Sequence, residues 1–300
     1  MNSVTVRVPA KVNLQLAVGP LRDDGFHDLV NVFHAVSIFD EVTATARTGM
    51  SVRVEGDSAD QVPEDDDNLA VRAALALAGH AGRSYGVSLV IHKSIPVAGG
   101  MAGGSADAAA ALVACNELWG LGLPPDDLLE IAADLGSDVP FALLGGTAVG
   151  TGRGERLTSL EVGGTLHWVF ALADGGLSTA RVYAECDRTR EAAGERVAWP
   201  RASDPLLAAL REGDAKALGA EMVNDLQPAA LALRPSLART LEAGRERGAL
   251  GALVSGSGPT CAFLAESKAH AKELALSLGA AGVARDVITA HGPVPGPTVV

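Results

Sequence analysis

The sequence predicts an α+β fold, because strand-like segments crowd its first half and helices mix with strands through its second half. The two element types do not alternate regularly, as a doubly wound parallel sheet would require. A length of 300 residues, of which 48% are hydrophobic and 20% charged, is typical of one large or two ordinary globular domains. A glycine-rich segment between a strand and a helix indicates a ligand site at their junction.

The first half is expected to form a sheet that is followed by helices. Asn68 is a suitable N-cap for the first helix. Strands are predicted where apolar residues alternate or run continuously, at residues 4–8, 13–18, 30–39, 41–46, 51–55, 87–95 and 141–149. Helices are predicted at residues 69–81, 106–118 and 127–135.

The second half is predicted to be more helical. A turn at residues 151–156 is the expected boundary between domains covering residues 1–155 and 156–300. The proline-rich tail from His291 is expected to be frayed, with a return to the first domain as the alternative. Helices are predicted at residues 179–189, 205–212, 214–222, 235–247 and 268–278, and strands at residues 166–172 and 284–289.

Composition excludes several classes of protein. The net charge of −12 argues against nonspecific nucleic-acid binding, which needs a basic surface. The three cysteines are widely spaced, so neither a disulfide framework nor a zinc site is indicated. No apolar run reaches the roughly 20 residues of a membrane span, and residues 1–14 lack the apolar core of a signal peptide. A cytoplasmic protein without membrane or nucleic-acid partners is therefore expected.

Residues 96–111, PVAGGMAGGSADAAAA, are predicted to bind phosphate. Their two glycine pairs allow positive φ angles and a close approach of the backbone to a ligand. The start of the following helix supplies unpaired N–H groups and partial positive charge. The segment has neither the Lys of a Walker loop nor a clean dinucleotide fingerprint. A flexible surface loop is the alternative interpretation.

Lys11 and Asp138 are candidates for phosphoryl-transfer chemistry, which needs positioned phosphates, a metal ion and a group on the attacking oxygen. Asp138 precedes the apolar residues 139–141, where a buried carboxylate needs a partner. It is either a general base or a capping residue. Lys11 lies between two strand-like segments and is either functional or an ordinary exposed side chain.

Three further positions have two interpretations each. Ser105 is a natural N-cap that could also contact phosphate or metal. Asp107, in the first turn of the same helix, either complements the helix dipole or enters a Mg²⁺ shell. The turn at residues 25–27, which holds Phe26 and His27, is either a packed loop or a stacking and hydrogen-bonding site for a flat ring.

Three motifs, in order across almost the whole chain, resemble those of the GHMP superfamily of galactokinases, homoserine kinases, mevalonate kinases and phosphomevalonate kinases. They are PAKVNL at residues 9–14, PVAGGMAGGSADAA at 96–109 and VSGSGPTCAF at 254–263. The resemblance implies a two-lobed α+β fold, in which an ATP-binding lobe with the topology of ribosomal protein S5 domain 2 precedes an α+β substrate lobe. It also implies ATP as co-substrate, Mg²⁺, and a monomer or weak homodimer.

Four shorter segments are similar to one branch of this superfamily, which phosphorylates 4-diphosphocytidyl-2-C-methyl-D-erythritol. The segments are DDGFHDL, DNL at residues 67–69, GSDVPF and NDLQ at residues 224–227. The resemblance implies that Asp138 takes or orients the substrate hydroxyl proton, while Lys11 keeps Asp138 ionised and stabilises the γ-phosphate. The implied substrate residues are Asn13 for the methylerythritol portion, His27 for a hydrogen bond to cytosine, and Phe26 and Tyr183 for stacking on it.

The resemblance also implies the ATP site and its departures from the common pattern. The middle motif often reads GLGGGSSNAA, so Ala102 requires an ordinary φ or a small shift of the loop, and Asp107 places a charge where an amide is common. Ser105 and Asp107 are the candidate Mg²⁺ ligands, although Asp107 departs from the family's pattern, and residues 254–263 are expected to support the centre of the site. The residues implied to bind ATP are Asn68, Pro96, Val97, Ala98, Gly99, Gly100, Met101, Ala102, Gly103, Gly104, Ser105 and Ala106.

Three alternatives would share this nucleotide site. A sibling kinase for mevalonate, phosphomevalonate or homoserine, or a decarboxylase of the mevalonate diphosphate type, would bind no flat base, and the 25–27 turn with Tyr183 argues against both. A catalytically inactive nucleotide sensor is disfavoured because Lys11 and Asp138 are both present.

Overall fold

The structure, a computed structural model, describes residues 2–300 and has the predicted α+β class. The strands are β1 (Ser3–Leu21), β2 (His27–Ala46), β3 (Met50–Gly56), β4 (Val87–Lys93), β5 (Thr147–Gly152), β6 (Arg156–Ser159), β7 (Leu166–Leu172), β8 (Val223–Asn224), β9 (Gly251–Val254), β10 (Cys261–Ala265), β11 (Asp286–Gly292) and β12 (Thr298–Val299). The helices are α1 (Leu69–His80), α2 (Gly103–Trp119), α3 (Pro125–Leu135), α4 (Val139–Leu144), α5 (Thr179–Ala192), α6 (Asp204–Glu212), α7 (Ala215–Glu221), α8 (Gln227–Leu233), α9 (Ser236–Glu246) and α10 (Lys268–Ala280). None of the helices formed by residues 2–300 combines the length and the apolar character needed to cross a bilayer.

A long antiparallel ribbon of β1 and β2 organises the first sheet, whose order is β12–β1–β2–β4–β3, with β5 on β2, β6 on β5 and β8 on β1. The sequence predicts two shorter strands in place of each ribbon strand. Pro9 coincides with a register shift between Pro9 and Ala10, and β1 continues beyond it. Lys11 and Asn13 follow this shift and, being two residues apart on one strand, lie on the same face.

Helix α2 lies in the core, packed against β1, β2 and α1. Its alanines at positions 108, 109, 110 and 111 are completely buried. A helix that is apolar on all sides is expected in a core, and the small alanine side chain allows a close approach to the sheet. The start of α2 is thereby attached to a densely packed body.

The second sheet is antiparallel, with the order β11–β7–β10–β9. Helices α5, α8, α9 and α10 share its core, in which Phe263 and Leu241 are buried. The two sheets meet at the buried His34 of β2 and Trp168 of β7, whose ring centroids lie 5.9 Å apart. Strand β8 pairs with β1, so the second half of the chain also adds to the first sheet.

The prediction of a strand at residues 141–149 is wrong. Residues Val139–Leu144 form α4, and β5 begins only at Thr147. Pro140 favours the first helical turn, while Gly145 and Gly146 have φ values of 66° and 64° and turn the chain into β5. A short apolar run alone does not distinguish a helix from a strand.

The chain end is ordered, so the prediction of a frayed tail from His291 is wrong. Strand β12 pairs with β1 at Val6 and Arg7, and Pro295 bridges to Gly145. The expected boundary between residues 155 and 156 falls within the β5–β6 hairpin. The chain passes from the first sheet to the second between Ser159 and Leu166.

Candidate functional site

A cavity of about 840 Å³ lies where β1, the start of α2, α5 and the 256–258 loop come together. The residues predicted from the motifs that line it are Lys11, Asn13, Phe26, His27, Pro96, Ala98, Gly99, Gly100, Ala102, Gly103, Gly104, Ser105, Asp138 and Tyr183. These residues come from distant parts of the chain, and the fold brings them to one site.

Lys11 is buried, so its interpretation as an ordinary exposed side chain is wrong. Its Nζ donates to Asn13 Oδ1 at 2.6 Å and to the carbonyl of Gly100 at 3.2 Å. The same atom lies 3.6 Å from Asp138 Oδ2. Asn13 is oriented in turn, because its Nδ2 donates to Asn31 Oδ1 at 3.0 Å. The ammonium group is therefore held where strand β1, Asp138 and the glycine-rich segment meet.

Asp138 directly precedes α4, but its side chain makes no capping hydrogen bond to any described residue. The carboxylate is 31% exposed and lines the cavity. A capping role does not account for it. With Lys11 beside it, the group can accept a proton or orient a hydroxyl.

The glycine-rich segment, residues 96–105 (called here the glycine loop), has a strained backbone. Ala98 and Ala102 have φ values of 50° and 60°, in the left-handed region that costs a non-glycine residue roughly 1–2 kcal/mol. Ala102 therefore keeps the conformation that suits glycine, in place of an ordinary φ. Gly100 has φ 78°, and a Cβ there would lie 2.0 Å from the carbonyl oxygen of Ser255.

The N-cap position of α2 is Ala102, which corrects the expectation that Ser105 caps the helix. Helix α2 begins at Gly103, so Ser105 is its third residue. The first turn presents backbone N–H groups at the cavity, with the partial positive charge of a 17-residue helix behind them. This arrangement can bind an anion.

Four residues of the predicted ATP site do not line the cavity. Asn68 caps α1: its Oδ1 accepts from the N–H of Ala70 at 2.9 Å, and its Nδ2 donates to the carbonyl of Pro63 at 2.8 Å. Both polar groups of the side chain are used within the protein, and the next residue, Leu69, lines the cavity. The others are the loop residue Val97 and the buried Met101 and Ala106.

Asp107 also lies away from the cavity, which corrects its assignment as a Mg²⁺ ligand. Its Oδ2 accepts from Lys93 Nζ at 2.6 Å, and Lys93 also pairs with Asp40. Burial raises the pKa of the Asp107 carboxyl, and the charge of the neighbouring Lys93 opposes that rise. Burial alone would lower the pKa of Lys93, but the two carboxylates outweigh it and raise that pKa.

A second part of the cavity is made of side chains suited to a flat, polar ring. The rings of His27 and Tyr183 stack with centroids 5.4 Å apart. Phe26 is half exposed, with the Arg153 guanidinium 5.3 Å from its ring centroid. Burial raises the pKa of Tyr183, so its phenol stays protonated. The packed-loop interpretation of the 25–27 turn is therefore insufficient, because the turn opens onto the cavity.

One ring nitrogen of His27 is hydrogen-bonded to the backbone, and the other lies beside a carboxylate. Nδ1 lies 2.9 Å from the carbonyl of Gly19, which can only accept, so Nδ1 carries the proton. Nε2 lies 3.3 Å from Asp187 Oδ2, and both residues line the cavity. Sequence reasoning missed Asp187, although its spacing of four residues from Tyr183 places both on one face of a helix.

The loop at residues 255–260, between β9 and β10, packs on the glycine loop. Ser255 Oγ donates to the carbonyl of Gly100 at 3.0 Å. Gly256 has φ 55°, and a Cβ there would lie 3.3 Å from Lys11 Nζ. Asn224 Nδ2 donates at 2.7 Å to the carbonyls of Val254 and Gly256. The NDLQ segment thus supports this loop, a role that its residue types alone did not indicate.

The residues at the cavity fit a magnesium ion that is bound chiefly through phosphate oxygens. Ser105 and Asp138 supply side-chain oxygens, the ligand type that Mg²⁺ prefers. Among residues 2–300, no group of three or more His, Cys, Asp or Glu side chains is arranged to hold a metal ion. Two basic side chains, Lys11 and Arg153, and two acidic ones, Asp138 and Asp187, line the cavity, so two anionic reactants would need a further cation.

Comparison with known proteins shows the family of the chain. Residues 68–146 match the family model of the GHMP kinases N terminal domain, and residues 206–284 match that of the GHMP kinases C terminal. A 4-diphosphocytidyl-2-C-methyl-D-erythritol kinase of Thermobifida fusca is 64% identical over 99% of this chain and 98% of its own length. The kinases of that name from Streptomyces coelicolor and Mycobacterium tuberculosis are 62% and 56% identical, over 99% of this chain and 99% and 93% of their own lengths.

Solved structures give the same relationship. The crystal structure of a 4-(cytidine 5'-diphospho)-2C-methyl-D-erythritol kinase superposes with a TM-score of 0.77 at 31% identity, covering 96% of this chain and 98% of the other. A homoserine kinase from Cytophaga hutchinsonii also reaches 0.77, but at 21% identity it shares the fold alone; it covers 100% and 98% of the two chains. The chain therefore belongs to the 4-diphosphocytidyl-2-C-methyl-D-erythritol kinase family of the GHMP kinases.

Proposed function

We propose that this protein transfers the γ-phosphoryl group of ATP to the 2-hydroxyl of 4-diphosphocytidyl-2-C-methyl-D-erythritol, giving the 2-phosphate and ADP, in the non-mevalonate route to isoprenoids. One observation carries the proposal. Lys11 Nζ, 3.6 Å from Asp138, also contacts Gly100 of the glycine loop, in a cavity that His27 and Tyr183 line as well. The proposed phosphate site, proton acceptor and base site thus line one cavity.

Asp138 is the proposed general base. Its carboxylate accepts the proton of the 2-hydroxyl, or orients that hydroxyl, as the oxygen attacks the γ-phosphorus. Lys11 lies beside it and stabilises the negative charge on the transferring group. Asn13, which accepts from Lys11 at 2.6 Å, keeps the ammonium group in place and faces the methylerythritol portion. No covalent enzyme intermediate is needed.

The glycine loop is proposed to bind the ATP phosphates through its backbone. The first turn of α2 and the N–H groups of the loop supply donors without a Walker lysine. Mg²⁺, held chiefly by the phosphates with Ser105 as a protein ligand, would neutralise charge on the β- and γ-phosphates. Residues 255–260 pack on the loop and support its conformation.

Cytosine is the proposed occupant of the second part of the cavity. Phe26 and Tyr183 stack on the ring, and such stacking contributes roughly 1–3 kcal/mol per base. Cytosine carries an exocyclic amino donor where uracil carries a carbonyl, and carboxylates commonly accept from that amino group. Asp187 Oδ2, 3.3 Å from His27 Nε2, presents an acceptor for this donor, and His27 is proposed to supply a further hydrogen bond to the ring.

We also propose the domain division, oligomeric state and location. The ATP-binding domain covers residues 1–155 together with β6, which pairs with β5, and the substrate-binding domain covers the rest of residues 156–300, with the last segment packed on the first domain. The protein acts as a monomer or weak homodimer in the cytoplasm.

The test is an ADP-release assay with purified protein, Mg²⁺ and ATP. It compares the diphosphocytidyl substrate with its diphosphouridyl analogue, mevalonate and homoserine. Turnover with the cytidyl compound alone supports both the reaction and the base site. Turnover with another alcohol keeps the Lys11–Asp138 pair but contradicts the cytosine site. Nucleotide binding without any turnover would favour an inactive sensor.

A further inference from the structure

A cluster of three charged side chains, Asp40 of β2, Lys93 of β4 and Asp107 of α2, is buried beneath the glycine loop. Their side chains are 0%, 2% and 3% exposed. Lys93 Nζ lies 2.5 Å from Asp40 Oδ2 and 2.6 Å from Asp107 Oδ2. Burying charges is costly, and a buried ion pair adds little net stability over an apolar replacement. The cluster therefore calls for an explanation other than stability.

The cluster holds both ends of the glycine loop. At the strand end, Asp40 Oδ1 accepts from the N–H groups of Ser94 and Ile95, at 2.6 and 2.8 Å. At the helix end, Asp107 belongs to the second turn of α2 and binds the same lysine. The two ends also touch, because a Cβ on Gly103 would lie 3.2 Å from both Lys93 Nζ and Ile95 Cγ2.

The loop between these ends needs such a constraint. Ala98 and Ala102 both adopt left-handed conformations. A strained backbone conformation persists only where several surrounding contacts hold it in place. From above, Ser255 and Thr260 bind the loop at the carbonyls of Gly100 and Gly99. From below, the three charged side chains set the distance between the end of β4 and the start of α2.

We propose that Asp40, Lys93 and Asp107 form an ionic clamp that fixes the glycine loop in its phosphate-binding conformation, so that they act as positioning residues for ATP. None of them lines the cavity, so they act through the backbone and not on the substrate. The inference rests on the proposed function only in taking ATP as the ligand of the loop.

The test uses Asp107→Ala and Asp107→Asn. The first removes the contact to Lys93, whereas the second keeps an oxygen that accepts from it. Nucleotide affinity is measured by calorimetry with Mg·ADP, which needs no alcohol substrate, and KM is measured for both substrates. We expect Asp107→Ala to raise the Kd for ADP and the KM for ATP by about tenfold, with the KM for the alcohol within about twofold. For Asp107→Asn, the Kd for ADP and the KM for ATP should both stay within about threefold of the values of the unchanged protein.

Cys115→Ala is the matched control, because Cys115 is a completely buried residue of the same helix that lies outside the clamp. It should lower the melting temperature without weakening ADP binding. Asp107→Ser, whose hydroxyl is too short to reach Lys93, is measured in parallel in case the alanine variant does not fold. The clamp is contradicted if folded Asp107→Ala or folded Asp107→Ser binds ADP within about twofold of the unchanged protein. It is also contradicted if Cys115→Ala weakens ADP binding as much as these variants do. If the unchanged protein binds ADP but phosphorylates a different alcohol, the proposed substrate is wrong and the clamp stands.

Discussion

The glycine loop and the aromatic part of the cavity recognise their ligands in opposite ways. The loop offers backbone groups on a strained path, packed from above by residues 255–260 and from below by buried charges. The aromatic part offers side chains, of which Phe26 is half exposed and His27 and Tyr183 pack mainly on each other. Substitutions that alter backbone geometry should therefore damage the first region, and substitutions that alter ring or hydrogen-bonding chemistry should damage the second.

The largest effect is expected at Asp138, where the two regions meet. Asp138→Asn removes the proton acceptor but keeps the shape, so kcat should fall by about 10²–10⁴-fold. The Kd for ADP, measured by calorimetry, should stay near its original value. Asp134→Asn, at an exposed position on the neighbouring α3, is the matched control and should leave kcat unchanged. A kcat for Asp138→Asn within tenfold of the original would remove Asp138 from the mechanism.

The next largest effect is expected in the loop. Gly100→Ala would place a Cβ 2.0 Å from the Ser255 carbonyl at a φ of 78°, so the loop must shift. Overpacking of this kind costs roughly 1–3 kcal/mol, and we expect kcat/KM for ATP to fall by about 10- to 100-fold. Gly79→Ala, where a Cβ would contact nothing within 4 Å, is the control. Equal losses toward ATP and the alcohol substrate would contradict a separate phosphate region.

A smaller effect, confined to the other substrate, is expected at the base region. His27→Ala removes the ring that stacks on Tyr183 and the Nε2 atom beside Asp187. The KM for the cytidyl substrate should rise by about tenfold, with kcat and the KM for ATP within about twofold. His80→Ala, at an exposed position on α1, is the control. An unchanged KM for the cytidyl substrate would mean that the base binds elsewhere.

The smallest effect on activity, but a measurable one on stability, is expected where the two sheets meet. Burial lowers the pKa of His34 to about 3, so the folded protein keeps this ring neutral while the unfolded chain protonates it near pH 6.5. Stability is then lost as the pH falls from 6.5 toward 3. Between pH 6.5 and 5 this residue should account for about 2 kcal/mol of the loss.

Urea denaturation of the unchanged protein and of His34→Asn at both pH values measures that contribution. Asn is chosen because it can keep the hydrogen bond that His34 makes with Thr147 Oγ1. The pH dependence should be weaker in the variant. Identical dependence in the two proteins would show that His34 is not the group that titrates.

Local signals predicted much of this molecule correctly. The alanine run after the glycines predicted a helix close to the observed α2, and most of the distant residues that the motifs singled out line one cavity. Both predictions depend only on residue types and on the spacing of residues that are close in the sequence. The same signals were weak at residues 141–149, where two glycines separate a short helix from a strand.

Long-range contacts account for what could not be predicted. Asp107 sits in the first turns of a helix, where a dipole or metal role is plausible, but only the packing of β2, β4 and α2 reveals Asp40 and Lys93 beside it. Asn224 holds the 255–260 loop through two carbonyls some 30 residues away in the chain. Ala102 keeps a left-handed backbone because neighbours constrain both ends of the loop, which no local propensity encodes.

The most direct test of the central claim is phosphorus NMR of the reaction with ATP, Mg²⁺ and the diphosphocytidyl substrate. If Asp138 and Lys11 act on a substrate whose base lies against His27 and Tyr183, a single new phosphomonoester resonance should grow as ATP is consumed. Because C2 is tertiary and carries no hydrogen, this resonance should show no three-bond coupling to a proton, and the diphosphate resonances of the substrate should remain. A phosphate on another hydroxyl, or ATP loss to inorganic phosphate alone, would contradict the account.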